Sequence, residues 1–401
     1  MMSAELIQAN KNWLVWARES VNYDKKTVAH KMGIKEETLD DWEKTGQLEY
    51  VNIIELSKIY HISPHMFFNG NDPKEEKEIA DFRTFNNEKV KASPKIIFEL
   101  RNARNKRETL LDIEEEDDDF IIPEFKLKEA SCKNENEVIQ VINDALKMSN
   151  AKRLTHNLDY WIKKVEELGV LVFQFYGISP EELRGYAIYY DKLPIIGINH
   201  QEKETARKFT LFHELAHLLF KEEGLSNFSS YHLNNKTEVM CNAVSGEILV
   251  PTQDIEAIVK SENIKDFTNP NLIKRLSGKY KVSNEVIVRK FLIQNYISPK
   301  DYETYKEDLN KYIFPKTNTK RNNKSKTTEK TDSSESIEEK KLKSNERKAK
   351  QFITQNGDYY TNSLIYAYMN NIITDLDFAR HLDTSINVVR LIVQIMNKRS
   401  Q

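Results

Sequence analysis

Apolar residues recur at helical spacing through residues 1–70, which predicts an all-α first domain. Gly33 interrupts the recurrence, so we expect a short helix over Thr27–Met32, a tight turn and a second helix over Glu36–Lys44. A run of turn-forming residues at 69–73 marks a domain edge, and we place the first domain at 1–72. The recurring apolar positions include Leu14, Ala17, Val28, Met32, Leu39, Trp42, Ile53, Leu56 and Tyr60.

Helical period continues through residues 73–150, which we interpret as a helical connector. The run of six acids Glu114–Asp119 lies within it. Such a run is typical of a solvated loop or helix face, so we assign it no function. One apolar stripe predicts a further helix over 151–168, ending at Gly169.

The pattern then changes from helix to strand. Residues 170–175, 185–190 and 195–199 are apolar and rich in β-formers, and the last two are expected to form a hairpin. Helical period returns over 203–222 and over about 236–249, and Pro251 closes the second helix. We therefore predict an α+β core at 151–251, with a small mixed or antiparallel sheet packed on the helix 203–222.

The remaining chain is predicted to be helical on both sides of a charged linker. Residues 252–315 read as a helical extension of the core. Residues 316–350 contain three apolar residues, Ile337, Leu342 and Ala349, which is too few to form a core and predicts a disordered tether. Helical pattern resumes in a small C-terminal module at 351–401. The fold class is thus multi-domain and mainly α.

Composition does not indicate a particular class of binding partner. The chain has 60 Lys and Arg against 62 Asp and Glu, a formal net charge of −2, so any nucleic-acid contact would need a local patch. The two cysteines, Cys132 and Cys241, are far apart, which indicates a reducing compartment. We find no signal peptide and no apolar run of about 18 residues. We expect a cytoplasmic protein with no membrane partner.

The strongest chemical signal is His213-Glu214-Leu215-Ala216-His217 on the apolar helix 203–222. Side chains four apart share one helix face, about 6 Å apart, so both imidazoles can bind one tetrahedral Zn²⁺. Glu214 is rotated by about 100° from His213 and can act on a water without being a ligand. A structural helix seldom buries three such polar groups together. The sequence therefore predicts one catalytic zinc.

A catalytic zinc needs a third protein ligand, and the candidates lie downstream. They are His232, Glu238, Cys241 and Glu247. Glu238 ranks first because it opens a helix with small residues on one side, suited to close packing against the first helix. Asn242, one turn later, is a candidate hydrogen-bond partner for a ligand.

Three segments together resemble the ImmA/IrrE family of metallopeptidases: Arg207–His217, Glu238-x-x-x-Asn242 and Leu249-Val250-Pro251, preceded by a matching strand at Leu193–Asn199. The resemblance implies a zincin core with two His and one Glu on zinc, and cleavage of a repressor or similar regulatory protein. In zincins the substrate lies along an edge strand beside the active helix. Candidates for that edge are the 185–190 and 195–199 strands, with Ile196, Ile198 and Asn199.

Residues 10–68 resemble a lambda-repressor-type helix-turn-helix domain, through Trp16–Glu19, Val28–Ile34 and Thr38–Glu43. The resemblance places the helix after Gly33 in the DNA major groove. Residues 35–44 carry five acids against two lysines, a balance that repels phosphates. Two interpretations stay open: a DNA-binding module, or a docking or dimerising module that presents substrate. The residues available for either contact are Lys35, Thr38, Lys44 and Gln47.

Three functions follow from these observations. The first is a regulatory zinc endopeptidase coupled to a helix-turn-helix module, with a protein substrate and a homodimer as an option. The second is a DNA-binding regulator whose zincin domain senses or docks. The third is one component of a toxin–antitoxin-like pair. The presence of Glu214, which folding does not require, favours the enzyme.

Overall fold

The computed structural model describes residues 6–73, 92–130, 132–221, 224–226, 236–307, 337–382 and 384–399. These residues are mostly helical with two small sheets, which confirms the mainly α prediction. They form two compact units, 1–105 and 106–401. The division lies within a helix, Pro94–Glu116, and not at the predicted boundary of 72.

The first unit is built from short helices around one core. Its elements are β1 Leu6–Gln8, α1 Lys11–Ser20, α2 Lys25–Met32, α3 Glu36–Thr45, β2 Gln47–Glu49, α4 Tyr50–Tyr60, a 3-10 turn Pro64–Phe68 and the first part of α5 Pro94–Glu116. Gly33 ends α2 with φ 68°, a left-handed conformation that glycine adopts without steric cost. The antiparallel pair β1–β2, absent from the predictions, is too short for a period-2 signal.

A charged cluster is buried inside this first unit. Arg18 donates from Nε to Glu43 Oε1 at 2.7 Å and from a terminal nitrogen to Oε2 at 3.2 Å. The two side chains are 10% and 4% exposed. Lys25 lies 3.6 Å from Glu43 and also pairs with Asp40. Each buried charge therefore has an opposite charge within hydrogen-bond reach, which is what an ion pair needs in a low-dielectric interior.

The second unit places a four-stranded sheet among helices. Its helices before the sheet are α6 Glu135–Ala145, α7 Asn150–Thr155 and α8 Leu158–Glu166. The predicted single helix 151–168 is thus two helices, because Asn157 caps a new start by accepting from Tyr160 N at 3.1 Å. Its later elements are β3 Leu171–Phe175, β4 Gly185–Ile188, β5 Ile195–Asn199, α9 Glu204–Phe220, β6 Gly224–Ser226, α10 Lys236–Leu249, α11 Thr252–Glu262, α12 Pro270–Tyr280, α13 Asn284–Ile293, α14 Ile337–Met369, α15 Asp375–His381 and α16 Ile386–Arg399.

The sheet has the order β3-β5-β4-β6. β3 runs parallel to β5, whereas β4 pairs antiparallel with β5 and β6. The sheet is therefore mixed, and the predicted hairpin of the second and third strands is present. β6 is a three-residue strand that the sequence pattern did not reveal. It borders β4, so β5 is interior to the sheet.

One hydrophobic core runs through the second unit and crosses the predicted domain boundaries. Val138 and Ile142, from the predicted connector, and Ile287 and Phe291, from the predicted extension, are all fully buried in the same cluster as Leu215 of α9. The boundaries at 150 and 251 therefore do not separate independent cores.

The C-terminal helices also belong to the second unit, although we expected a separate module. Tyr360 packs edge-on against Phe173 of β3, with ring centroids 5.8 Å apart. Gly357 (φ 75°) kinks α14 where it meets β3, and a Cβ there would lie 2.8 Å from Val172 O. Most of the predicted linker, 316–336, lies outside the described residues. Its end, 337–350, is helical and not a disordered tether, because Lys, Glu and Arg are strong helix formers.

Candidate metal centre

The helix α9 holds the predicted catalytic residues in the interior of the second unit. Its apolar residues Leu211, Phe212 and Leu215 are fully buried between the sheet and α10. A left-handed residue, Lys221 (φ 55°), ends the helix. Ser245 of α10 donates to Phe209 O at 2.8 Å and joins the two helices. This packing fixes the distance between the side chains of α9 and α10.

Three side chains from these helices meet at one point. His213 Nε2 lies 3.1 Å from His217 Nε2. Glu238 of α10 places Oε2 3.3 Å from His213 Nε2 and Oε1 3.2 Å from His217 Nε2. The two histidines are 4% and 2% exposed, whereas the Glu238 side chain is 18% exposed and lies on the solvent side of the group. Sequence reasoning ranked Glu238 first among the third ligands, and this geometry places it beside both histidines.

The triangle has the dimensions of a tetrahedral zinc site. With ligand distances of about 2.0–2.1 Å, neighbouring ligand atoms of tetrahedral zinc are about 3.3–3.4 Å apart. The three observed edges of 3.1–3.3 Å are close to that value. Neither imidazole Nδ1 has a hydrogen-bond acceptor among the described residues. The Nε2 atoms and the carboxylate thus face one another, as ligands around a cation do.

The pKa shifts show that the triangle attracts positive charge. Burial would raise the pKa of Glu238, but hydrogen bonds from His213 and His217 outweigh it and hold that pKa well below its usual range. Burial would lower the pKa of His217, but hydrogen bonds with Cys241 and Glu238 raise it well above its usual range. Without a metal the site stabilises a proton on the His217 imidazole, and a bound cation would replace that proton.

Glu214 is fully buried beside the triangle and is not one of its members. Its carboxylate lies against the start of β4, where a Cβ on Gly185 would be 2.7 Å from Oε1. The same Cβ would be 2.4 Å from Thr210 Cγ2. Only a glycine lets α9 approach β4 this closely. A carboxylate next to, but outside, the ligand set is suited to general-base work.

None of the other candidate ligands in the described residues joins the metal triangle. Cys241 is buried, and its thiol hydrogen-bonds with His217, but it does not complete the metal triangle. Glu247 accepts from Thr252 N and Oγ1 at 2.8 and 2.7 Å and from Lys290, so its carboxylate is already used. His232 lies outside the described residues. Asn242 is half-buried, and no hydrogen bond among the described residues joins it to the ligands.

The predicted substrate edge is incorrect for β5. Ile196, Ile198 and Asn199 are fully buried on a strand that is hydrogen-bonded on both sides, so no chain can add there. Asn199 instead fixes the preceding loop, because its amide nitrogen donates to Ile178 O at 2.8 Å and Leu183 O at 2.7 Å. On the β4 side of the sheet, the terminal strand is β6.

Two residues of the site escaped sequence reasoning. Ser245 lies seven residues after Glu238, on the same helix face, and this spacing was the available signal for an interhelical contact. Gly185 begins a strand, and a strand glycine marks close approach of another backbone or side chain. Neither spacing nor residue type indicated which partner each would meet.

In the first unit, the four predicted contact residues lie on or beside α3 and on β2. Lys35 and Lys44 are exposed, but Lys44 lies 3.0 Å from Asp40. Thr38 is half-buried on α3, and Gln47 lies on β2. Of the five acids in 35–44, Glu43 is buried and Asp40 is ion-paired, which leaves Glu36, Glu37 and Asp41 exposed. The helix-turn-helix function stays a prediction.

Residues 165–292 match the family model Peptidase_M78, described as the IrrE N-terminal-like domain. The match covers about a third of the chain, including β3 to most of α13 and all four site residues. It supports a metallopeptidase of the IrrE/ImmA kind in this part of the chain, and a metal, typically zinc. The chain has no significant match among the curated proteins or the solved structures. No helix in the described ranges is long and apolar enough to cross a membrane.

Proposed function

We propose that this chain is a zinc-dependent endopeptidase that cleaves a repressor or similar regulatory protein. The observation that carries the proposal is the triangle of two buried histidines, His213 and His217, with the half-buried Glu238, and Glu214 on the next helix position. The family match at 165–292 supports the peptidase class. Zinc as the metal, and a protein as the substrate, go beyond that match.

The two histidines and Glu238 would hold zinc, which supplies Lewis acidity that lowers the pKa of water and polarises a peptide carbonyl. Glu214 would take the proton from the attacking water, because its carboxylate lies beside the ligand set and not within it. Burial of Glu214 removes competing solvent from that carboxylate. The proton would then pass to the leaving amine, so one side chain serves both steps.

We propose a protein-docking role for the first unit. Lys44, one of the two lysines predicted to contact phosphates, is paired with Asp40, which also pairs with Lys25. The exposed acids Glu36, Glu37 and Asp41 would repel DNA. A partner with a basic surface suits this face. Tight, sequence-selective binding of duplex DNA by the full chain at physiological salt would contradict this part of the proposal.

The test is co-expression of the full chain with the proteins encoded beside it. Wild type and Glu214→Gln are compared by mass spectrometry of the partner proteins. We expect one partner to be cut at a defined bond by wild type and to remain intact with the variant. Equal cutting by both chains would refute the mechanism. The identity of the cut partner would also separate a repressor from a toxin–antitoxin-like partner.

A further inference from the structure

A second concave site lies in the same unit, built by α6, α7 and α8. Its cavity has a volume of about 440 Å³. This is within the range of about 300–1,000 Å³ typical of small-molecule sites. The floor is apolar, with Leu146 and Leu168 only 3% and 5% exposed. The cavity lining shares no residue with the metal centre.

The rim of this cavity is strongly cationic. Lys126, Lys147, Lys152 and Lys164 line it, against one acid, Glu167. Acids outnumber bases in the chain as a whole, so this concentration of lysines is local. The four lysines against one acid give the rim a net positive charge, which favours an anion.

Only one of the four ammonium groups is neutralised within the described residues. Lys164 forms an ion pair with Glu167. Lys152 Nζ donates to Lys147 O at 2.9 Å and closes the end of α6. Lys126 and Lys147 have no acidic partner among the residues that the structure describes. Lys147 has φ 48°, an uncommon conformation for a non-glycine residue, at the rim.

We propose that this cavity binds a phosphate-bearing small molecule with a flat apolar body, of nucleotide size. Lys126 and Lys147 would bind the phosphates, and the apolar floor would pack against the body. Ammonium groups bind phosphate through charge-assisted hydrogen bonds. Neither the peptidase chemistry nor the family match accounts for a cationic rim over an apolar floor.

The cavity walls are tied to the helix that carries Glu238. Arg153 of α7 donates to Ile248 O of α10 at 2.7 Å and to Asn143 Oδ1 of α6 at 2.9 Å. The helices α6 and α10 also pack directly on each other. A ligand that orders the ends of α6 and α7 would therefore act on the helix holding Glu238.

The test measures binding directly, and its outcome does not depend on peptidase activity. The full-length zinc-containing chain is titrated by calorimetry with ATP, with inorganic pyrophosphate and with adenosine. We expect ATP and pyrophosphate to bind, more weakly as salt screens the lysines, and adenosine not to bind. The double variant Lys126→Gln/Lys147→Asn should weaken ATP at least about tenfold. Asparagine at 147 tolerates the left-handed backbone.

The matched control is Lys133→Gln/Lys163→Gln, which removes the same charge at two exposed positions outside the cavity lining. It should bind ATP like wild type. In wild type, bound ATP should protect Lys126 and Lys147 from acylation, read by mass spectrometry without any variant. Absence of ATP and pyrophosphate binding, or equal weakening in both double variants, would overturn the proposal.

Discussion

The two units each bury a cluster of ionisable groups, and the clusters differ in how their charges are balanced. In the first unit Arg18 and Glu43 form an ion pair with two hydrogen bonds, and their side chains are only 10% and 4% exposed. In the second, Glu214 and Glu238 gather around two histidines, and the imidazole Nδ1 atoms lack acceptors in the described ranges. The first cluster is complete without a ligand. The second is short of positive charge, which is what a metal supplies.

The largest expected effect is on metal binding. His217→Ala removes one corner of the triangle, and we expect zinc affinity to fall by more than about 100-fold, with peptidase activity lost. Zinc content of the purified chain by mass spectrometry is the measurement. The matched control is Glu43→Gln, in the other cluster, which should keep its zinc. A His217→Ala chain that retains full zinc would break the comparison.

The second-largest effect is expected at Glu214, where a substitution should greatly reduce catalysis without affecting metal binding. Glu214→Gln keeps the size and burial of the side chain but removes the base. We expect activity to drop by about 10²–10⁴-fold, with zinc content unchanged. Glu202→Gln makes the same substitution in a buried carboxylate that pairs with Arg184 and is no metal ligand. It should remain active. Loss of zinc from Glu214→Gln would show that this residue is a ligand.

The ion pair in the first unit should respond through stability alone. Arg18→Met leaves the buried Glu43 carboxylate with Lys25, 3.6 Å away, as its remaining positive partner. The free energy of unfolding should fall by up to about 3–5 kcal/mol. The double variant Arg18→Met/Glu43→Leu should recover most of this loss, because no charge is then left unpaired. Denaturant unfolding gives both values when it is followed by tryptophan fluorescence in chains carrying Trp161→Phe, because the remaining tryptophans, Trp13, Trp16 and Trp42, all lie in the first unit. A double variant as unstable as the single one would contradict the ion-pair interpretation.

The last prediction concerns a buried acid, Glu166, that is neutralised by a proton and not by a metal or an arginine. Burial, with help from Asp358, raises the pKa of Glu166 to about 8. Since this folded-state pKa exceeds the ordinary value of 4.5, the stability linked to the proton is full below about pH 4.5 and declines up to about pH 8. Glu166→Gln should flatten that decline. A stability curve of unchanged slope, measured by denaturant unfolding at several pH values, would show that Glu166 ionises normally.

The sequence allowed the metal centre to be predicted better than the sheet around it. His213, Glu214 and His217 lie within one turn and a half of helix, so helical geometry alone places them together. Glu238 required only the idea of a second packed helix. The edge role of Ile196, Ile198 and Asn199 was wrong, because strand order depends on pairing between distant segments. β6 has three residues, too few for a periodic signal.

Domain boundaries were predicted less well, for a related reason. Composition shifts at 72, 150, 251 and 316–350 indicate where a chain changes character. They do not indicate which helices later share a core, as Val138 and Phe291 do. The buried pair of Arg18 and Glu43 was likewise invisible, because two charged residues 25 positions apart show no pattern. Charge counts over α3 therefore overstated the number of exposed acids.

The kink at Gly357 has a consequence for the sheet itself. β3 ends the strand order, and the part of α14 around Gly357 and Tyr360 covers it. An uncovered terminal strand is a template on which a second chain can pair. Truncation before residue 351 would therefore uncover a strand and favour self-association of the shortened chain. The C-terminal helices therefore protect β3 from pairing with another chain, and a shortened chain made for crystallisation should retain them.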